Sequence, residues 1–255
     1  MKSFHTWDDL EIAYQEWGEP SALPPVVLHH GFVADANANW VATSVVEALL
    51  EAGRTVVAPD ARGHGQSQKP HDPACYGEDR MARDLAVLLD VIDAPAIDLV
   101  GYSMGAIVSL LLAGADTRVR RLVIGGVGSG VIECGGVDRR VVPNDAIIAA
   151  LTAEDPADAM PPEAASFRML ADAVGADRLA LAAQATSVYR GAFELQHITA
   201  PTLLLAGAAD PLAIRPEVLV DAIPGATLQM LTGNHIEVLG DPRFKQSIVD
   251  FLAVV

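Results

Sequence analysis

The stretch IDLVGYSMGAIVSLLLAG, residues 97–114, joins two apolar runs through a serine that stands between two glycines. The first run is typical of a buried strand, and the second is long enough for a buried helix. Ser103 therefore lies at the turn between a strand and a helix. Gly101 and Gly105 would let neighbouring backbone approach that turn without a side-chain clash. Two interpretations are open at this point: a tight structural turn, or a turn that exposes the Ser103 hydroxyl as a nucleophile.

Strand and helix patterns alternate on both sides of this stretch. The first eighteen residues predict two short strands with a turn at Asp8-Asp9. A helix is predicted over WVATSVVEALLEAG, residues 40–53, from the spacing of Val41, Val45 and Leu49, and it ends at Gly53, a good C-cap. Alternation at the pace of βαβ units predicts an α/β protein with a mostly parallel sheet covered by helices on both faces. The patterns that support it are VVLHH (26–30), TVVAPD (55–60), DRMARDLAVLLDVI (79–92) and RLVIGGV (121–127).

The alternation stops after residue 127 and resumes at APTLLLAG, residues 200–207. A helical block inserted between two halves of one sheet predicts a cap over that sheet, because some 70 residues of this composition are marginal as an independent domain. We therefore expect an α/β core formed by residues 1–127 and 197–255, with a helical cap at 128–196. Helices are predicted near 145–153, 163–174 and 177–190 within the cap, and near 215–222 and from Asp241-Pro242 in the core.

The composition excludes several classes of partner. The net charge of −16 disfavours nucleic acid and anionic membranes, which require clustered basic residues. No apolar run approaches the length of a membrane span, and the first residues lack the apolar core of a signal peptide. Cys75 and Cys134 fit two free thiols in a reducing cytoplasm, and no Cys and His pair has zinc-site spacing. The expected partner is a small-molecule substrate. We expect no metal or organic cofactor, and either a monomer or a homodimer.

Ligands of open parallel sheets bind beyond the carboxyl ends of the strands, which directs attention to the residue after each apolar run. Those residues include Ser103, Asp210 and His235, a nucleophile, an acid and a base in that chain order. A serine hydroxyl is a poor nucleophile until a base takes its proton, so His235 is predicted as that base and Asp210 as the residue that orients it. The N–H of Met104, at the helix N-terminus, is predicted to stabilise an oxyanion.

The chain resembles the α/β-hydrolase fold family along nearly its whole length. The resemblance rests on five motifs in the same order as in the family: HHGF (29–32), DARGHGQS (60–67), GYSMG (101–105), GAADP (207–211) and GNH (233–235). It implies an α/β-hydrolase fold with an inserted helical cap, a second oxyanion donor in the N–H of Phe32, and a structural role for the 60–67 loop. His30 and Tyr102 are further candidates for substrate contact.

The resemblance implies a serine hydrolase that cleaves a small, largely apolar carboxylic ester or lactone through an acyl-enzyme on Ser103. Relatives with an aspartate nucleophile, the epoxide hydrolases and haloalkane dehalogenases, are disfavoured because a serine stands at that position. A C–C hydrolase of ring-cleavage diketones, a perhydrolase and an acyltransferase remain alternatives. The C–C hydrolases often carry a tryptophan after the catalytic histidine and a second glycine after Ser-Met-Gly, where this chain has Ile236 and Ala106. A non-catalytic small-molecule receptor is the alternative of another class.

Overall fold

The computed structural model describes residues 1–155 and 162–253, and the strands among them form one eight-stranded sheet. The order across the sheet is β1-β2-β4-β3-β5-β6-β7-β8. In chain order the strands are β1 (Lys2–His5), β2 (Glu11–Trp17), β3 (Val26–His29), β4 (Val56–Pro59), β5 (Ile97–Tyr102), β6 (Val119–Gly125), β7 (Thr202–Gly207) and β8 (Thr227–Leu231).

Parallel pairing dominates this sheet. From β4 through β3, β5, β6 and β7 to β8, every neighbouring pair of strands is parallel, whereas β2 pairs antiparallel with both β1 and β4. The predicted α/β class with a mostly parallel sheet is therefore confirmed. The predicted turn at Asp8-Asp9 is also confirmed, since Asp9 adopts a positive φ of 68° between β1 and β2.

Helices cover both faces of the sheet because the strand side chains are apolar on both faces. On one face Val27, Val57 and Leu99 pack with α2 and α3; on the other, Leu28 and Val100 pack with α1 and α9. The α-helices are α1 (Val45–Glu51), α2 (Glu78–Val91), α3 (Met104–Ala115), α4 (Gly130–Glu133), α5 (Asn144–Thr152), α6 (Pro162–Val174), α7 (Arg178–Thr186), α8 (Pro216–Ala222) and α9 (Pro242–Ala253). Within the described ranges, none of these helices has both the length and the apolar character needed to cross a membrane.

Helices α4 to α7 lie between β6 and β7 in the chain. They carry a small apolar cluster of their own, to which Ile147, Leu151 and Leu181 contribute, and Val33 from the loop after β3 joins it. The helix predicted at 177–190 ends earlier, at Thr186. The reason is tertiary: the Ser187 hydroxyl donates a hydrogen bond to the carbonyl of Pro73, and the Tyr189 N–H donates to the Glu78 carboxylate.

The single helix predicted across residues 40–53 is wrong in its first half. A turn of π-helix spans Asn37–Val41, and α1 begins only at Val45, after Ser44 with a positive φ of 58°. The break leaves Val41 43% exposed, although the helical pattern predicted that it would be buried. The Asn39 side chain is committed to the backbone of Gly31, and this contact fixes the distorted turn against the loop after β3.

Candidate active site

Ser103 stands on a sharp turn between β5 and α3. Its backbone has φ 55° and ψ −116°, a strained conformation for a residue with a side chain, of the kind that concentrates at functional sites. Packing enforces the turn: a Cβ on Gly105 would lie 2.0 Å from the His29 carbonyl oxygen, and one on Gly101 would lie 2.3 Å from the Gly105 carbonyl oxygen. Only glycine fits these two positions, and together they permit the strained turn that carries Ser103.

Three side chains from three strand ends form one hydrogen-bonded chain. The Ser103 Oγ lies 3.0 Å from His235 Nε2, and His235 Nδ1 lies 2.8 Å from Asp210 Oδ2. The Asp210 side chain is fully buried, and its other oxygen accepts the N–H of Leu212 at 2.9 Å. Because Asp210 accepts from Nδ1, the Nε2 atom is free to take a proton from the serine. The arrangement is that of a nucleophile, a general base and its orienting acid.

Tyr102 contacts the catalytic candidate His235 through both its hydroxyl and its ring. Its hydroxyl donates a hydrogen bond to the His235 carbonyl, and its ring centroid lies 5.2 Å from that of the imidazole. Burial raises the pKa of Tyr102 well above its ordinary value, and the nearby Asp210 carboxylate raises it further. The phenol therefore stays neutral and fixes the loop that carries His235.

Two backbone N–H groups beside Ser103 are free to receive an oxyanion. The N–H groups of Met104 and Phe32 donate no hydrogen bond to any group in the described part of the chain. The loop that carries Phe32 is close to the nucleophile, since a Cβ on Gly31 would lie 3.4 Å from the Ser103 Cβ. Asn39 holds this loop through its Oδ1, which accepts the Gly31 N–H at 2.9 Å.

Buried neutral histidines shape the same loop. His30 is fully buried: Nδ1 donates to the Gly31 carbonyl and Nε2 accepts the N–H of Ala61. His64 Nε2 accepts the N–H of Val33. Burial lowers the pKa of both imidazoles, so both stay uncharged at neutral pH. His30 does not line the cavity described below, in contrast to the substrate contact predicted for it, whereas Tyr102 does line that cavity.

The 60–67 loop is a buried network of its own. Asp60 accepts the N–H groups of Ala36 and Gln66, and the Arg62 guanidinium is paired with both Asp84 and Asp8. Within residues 1–155 and 162–253, no cluster of His, Cys, Asp and Glu has the geometry of a metal site. Every polar group of this loop named here serves the fold.

A cavity of about 230 Å³ opens onto Ser103 and His235. Lining residues at the strand ends and in the loops after the strands form what we call the sheet side of the cavity. Lining residues from α2, α5, α6, α7 and the loop after α7 form its helix side. The sheet side includes Gly31, Phe32, Tyr102, Ser103, Met104, Leu212, His235 and Ile236. The helix side comprises Glu78, Asn144, Ile147, Phe167, Leu170, Gln184, Ala185 and Val188.

Sequence reasoning missed the polar residues of this lining. Glu78 is only 4% exposed, Asn39 3% and Gln184 2%. In the sequence Glu78 is an ordinary acidic residue in the first turn of a helix, and Gln184 lies in an alanine-rich helix. A weak signal was present for Gln184, because it lies four residues after Ala180 on a face that is otherwise apolar.

Comparison with known proteins agrees with this architecture. Residues 24–130 match the family model described as the alpha/beta hydrolase fold. A solved hydrolase from Pseudomonas aeruginosa superposes with a TM-score of 0.80 at 27% identity, covering 99% of this chain and 98% of that one. The chain belongs to the α/β-hydrolase fold family.

Two curated relatives match over shorter stretches. The chain is 40% identical over 116 residues to a 2-hydroxy-6-oxo-2,4-heptadienoate hydrolase from Pseudomonas putida, covering 45% of this chain and 41% of that protein. It is 42% identical over 93 residues to epoxide hydrolase A from Mycobacterium tuberculosis, covering 36% of this chain and 28% of the relative. The chain thus spans about two fifths or less of the length of these relatives.

Proposed function

We propose that this α/β-hydrolase is a serine hydrolase that cleaves a small, largely apolar carboxylic ester or lactone. In this proposal residues 1–127 and 197–255 supply the catalytic core, and residues 128–196 cap it. The observation that carries the proposal is the chain from Ser103 Oγ through His235 to Asp210 beside two unoccupied N–H donors. A turn serine with a purely structural role would need neither a base at hydrogen-bond distance nor an oxyanion site.

The geometry supports a two-step acyl transfer. His235 Nε2 takes the Ser103 proton as the serine oxygen attacks the substrate carbonyl carbon. The resulting oxyanion accepts hydrogen bonds from the N–H groups of Phe32 and Met104, and Asp210 stabilises the imidazolium. His235 then gives its proton to the leaving alkoxide as the carbon–oxygen bond breaks, which leaves an acyl-enzyme. Water, deprotonated by His235, releases the carboxylic acid and regenerates Ser103.

The cavity lining supports an uncharged, mostly apolar substrate. Among the residues that the structure describes, the lining contains no Lys or Arg, and most of its side chains are aliphatic or aromatic. A substrate carboxylate in this cavity would have no Lys or Arg of the described lining to pair with and would share the cavity with the Glu78 carboxyl group. Esters and lactones avoid that cost.

Hydrolysis of a C–C bond is a second candidate, favoured by the 40% identity to the heptadienoate hydrolase over 116 residues. That enzyme's name specifies a carboxylate substrate, and such a charge fits the lining of this cavity poorly. Ile236 and Ala106, the two departures from the usual C–C hydrolase pattern, also favour the ester or lactone. The epoxide hydrolase match is outweighed by the serine at the nucleophile position.

Labelling with a small fluorophosphonate tests the proposal directly. Intact mass and peptide mapping are expected to give one adduct, on Ser103, which Ser103→Ala abolishes. Ser109→Ala is the matched control, because Ser109 lies in the same helix but is fully buried. A panel of phenyl esters, lactones and ring-cleavage diketones then identifies the bond. Labelling elsewhere, or no labelling, would contradict the proposal and favour a receptor that binds without turnover.

A further inference from the structure

Two buried polar side chains on the helix side of the cavity have no part in the proposed reaction. Glu78 is the first residue of α2, and Gln184 lies in the last turn of α7. Both are more than nine-tenths buried, and both line the cavity that reaches Ser103. Burying polar groups in an otherwise apolar wall costs free energy unless hydrogen bonds compensate for it. The partners of the two side chains therefore matter.

Among the described residues, Glu78 lacks the arginine partner that two other buried carboxylates have. Asp98 is paired with Arg54, and Asp84 with Arg62. No ion pair reaches Glu78 within the described ranges; its Oε2 accepts only the backbone N–H of Tyr189 among other residues. Burial raises the pKa of Glu78 to about 7, against the effect of that N–H and of its own backbone, and the charge of Asp79 adds to the rise. The carboxyl group thus keeps unused acceptor capacity beside the cavity.

Gln184 is under-partnered in the same way. Its Nε2 lies 2.7 Å from the Sδ of Met104, which is a weak acceptor, and its buried Oε1 has no donor in the described part of the chain. The contact with Met104 brings the amide next to the residue that follows the nucleophile. The Ser187 and Tyr189 contacts tie the end of α7 to the segment before α2. Gln184 and Glu78 therefore both line the cavity, and each has an acceptor that the described part of the chain leaves with unused capacity.

We propose that Glu78 and Gln184 form a polar subsite that accepts hydrogen bonds from a hydroxyl group of the substrate. This inference rests on the proposed hydrolase function and narrows its substrates to hydroxy-substituted esters or lactones. A hydroxyl supplies the missing donor without bringing a net charge into an apolar cavity, whereas an ammonium group brings a full charge. A substrate carboxylate supplies no donor. A site that is built to bind a hydroxyl discriminates strongly against the analogue that lacks it, because its own polar atoms are then left unpaired.

Matched phenyl esters test the subsite. Acyl chains of equal length that end in methyl, hydroxyl or ammonium, at several lengths, are compared through kcat/KM. We expect the hydroxyl ester to exceed the methyl ester by about 10-fold or more at one chain length. Glu78→Met and Gln184→Met keep the side-chain length but remove the acceptors, and each should bring that ratio down towards one. Asp221→Asn changes an exposed carboxylate in α8, away from the cavity, and should leave the ratio unchanged.

The outcomes separate the subsite from the reaction. Fluorophosphonate labelling of Ser103 reports on the hydrolase function alone. If no ester is cleaved, the subsite is tested by ligand binding. The melting temperatures of the wild type and of Glu78→Met are measured with 1,6-hexanediol and with 1-heptanol. A larger rise in melting temperature with the diol than with the alcohol, which Glu78→Met loses, supports the subsite. If Glu78→Met does not fold, Gln184→Met carries the test. Three results would overturn the proposal. They are equal kcat/KM values for the hydroxyl and methyl esters at every length, a hydroxyl-to-methyl ratio that neither variant changes, and a preference for the ammonium ester.

Discussion

The two sides of the cavity differ in how their polar atoms are partnered. On the sheet side Asp210, His235 and Tyr102 are each held by hydrogen bonds, and within the described residues the N–H groups of Phe32 and Met104 have no acceptor. On the helix side Gln184 leaves an acceptor without a donor. A fully partnered cluster is rigid and suited to one reaction, whereas an under-partnered wall is suited to selecting a ligand. In the proposed function, reaction and substrate selection therefore fall to different parts of the chain.

The largest effects are expected on the sheet side, in the rate of the chemical step. Ser103→Ala should lower kcat by a factor on the order of 10⁶, and Asp210→Asn by about 10⁴, by analogy with serine proteases. The Asp210 variant loses the acceptor that fixes the imidazole tautomer. Steady-state kinetics on a phenyl ester measure both, with Asp221→Asn in α8 as the control. A fall of less than about tenfold for Ser103→Ala would place the reaction elsewhere.

The nucleophile turn should also be the least tolerant point of the backbone. Gly105→Ala places a Cβ 2.0 Å from the His29 carbonyl oxygen, so backbone must move, and we expect the free energy of unfolding to fall by more than about 3 kcal/mol. Gly175→Ala after α6 is the matched comparison: φ is +67°, but no atom lies within 4 Å of the new Cβ. Its cost should be about 1 kcal/mol, from backbone strain alone. Urea denaturation measures both losses, and equal losses would contradict the steric argument.

Glu78 should make stability depend on pH. Its pKa rises from 4.5 to about 7 on folding, so the native state binds more protons than the unfolded state between these values. Stability contributed by this group is therefore lost as the pH rises from about 4.5 to about 7, by a total of about 3 kcal/mol. Glu78→Gln should remove that decline relative to the wild type. Urea denaturation at pH 5 and pH 8 tests it, with Asp221→Asn in α8 as control. Parallel pH curves for wild type and Glu78→Gln would refute it.

The smallest effect should come from the apolar part of the helix side. The Phe167 ring lies 6.0 Å from that of Phe32 and lines the cavity. Phe167→Ala should raise KM for bulky esters by about 10-fold and change kcat by less than about threefold, because the ring binds substrate and transition state alike. Phe251→Ala, in α9 and away from the cavity, is the control. A fall in kcat with unchanged KM would assign Phe167 to the chemistry instead.

The sequence predicted the sheet side far better than the helix side, for a physical reason. Parallel strands deliver their following residues to one edge, so Ser103, Asp210 and His235 could be named together from strand ends alone. The fold class and the family resemblance are confirmed, while the roles of these residues stay predictions. No such rule of position applies to Glu78 and Gln184, which lie on helices. Their burial depends on how the segment after α7 packs against the start of α2, a tertiary contact that leaves no periodic pattern in the sequence.

The one helix that was misjudged shows the same limit. Val41 fits a helical stripe with Val45 and Leu49, but the chain breaks at Ser44 and leaves Val41 partly exposed. Local periodicity describes only how a segment would pack if it were free to do so. Here Asn39 is held by the Gly31 N–H, and this contact near the nucleophile outweighs the helical preference of the segment.

The direct pairing of β6 with β7 has a consequence for how such a protein can evolve. Leu122 pairs with Thr202 and Gly125 with Leu205 in an uninterrupted parallel ladder, although some 76 residues separate the two strands in the chain. Each doubling of a connection costs only about 0.6 kcal/mol in closure entropy. Insertions, deletions or wholesale replacement between these strands therefore leave the register of the sheet intact. Residues 126–201, which carry most of the helix side of the cavity, can therefore change in evolution while the residues at the strand ends stay the same.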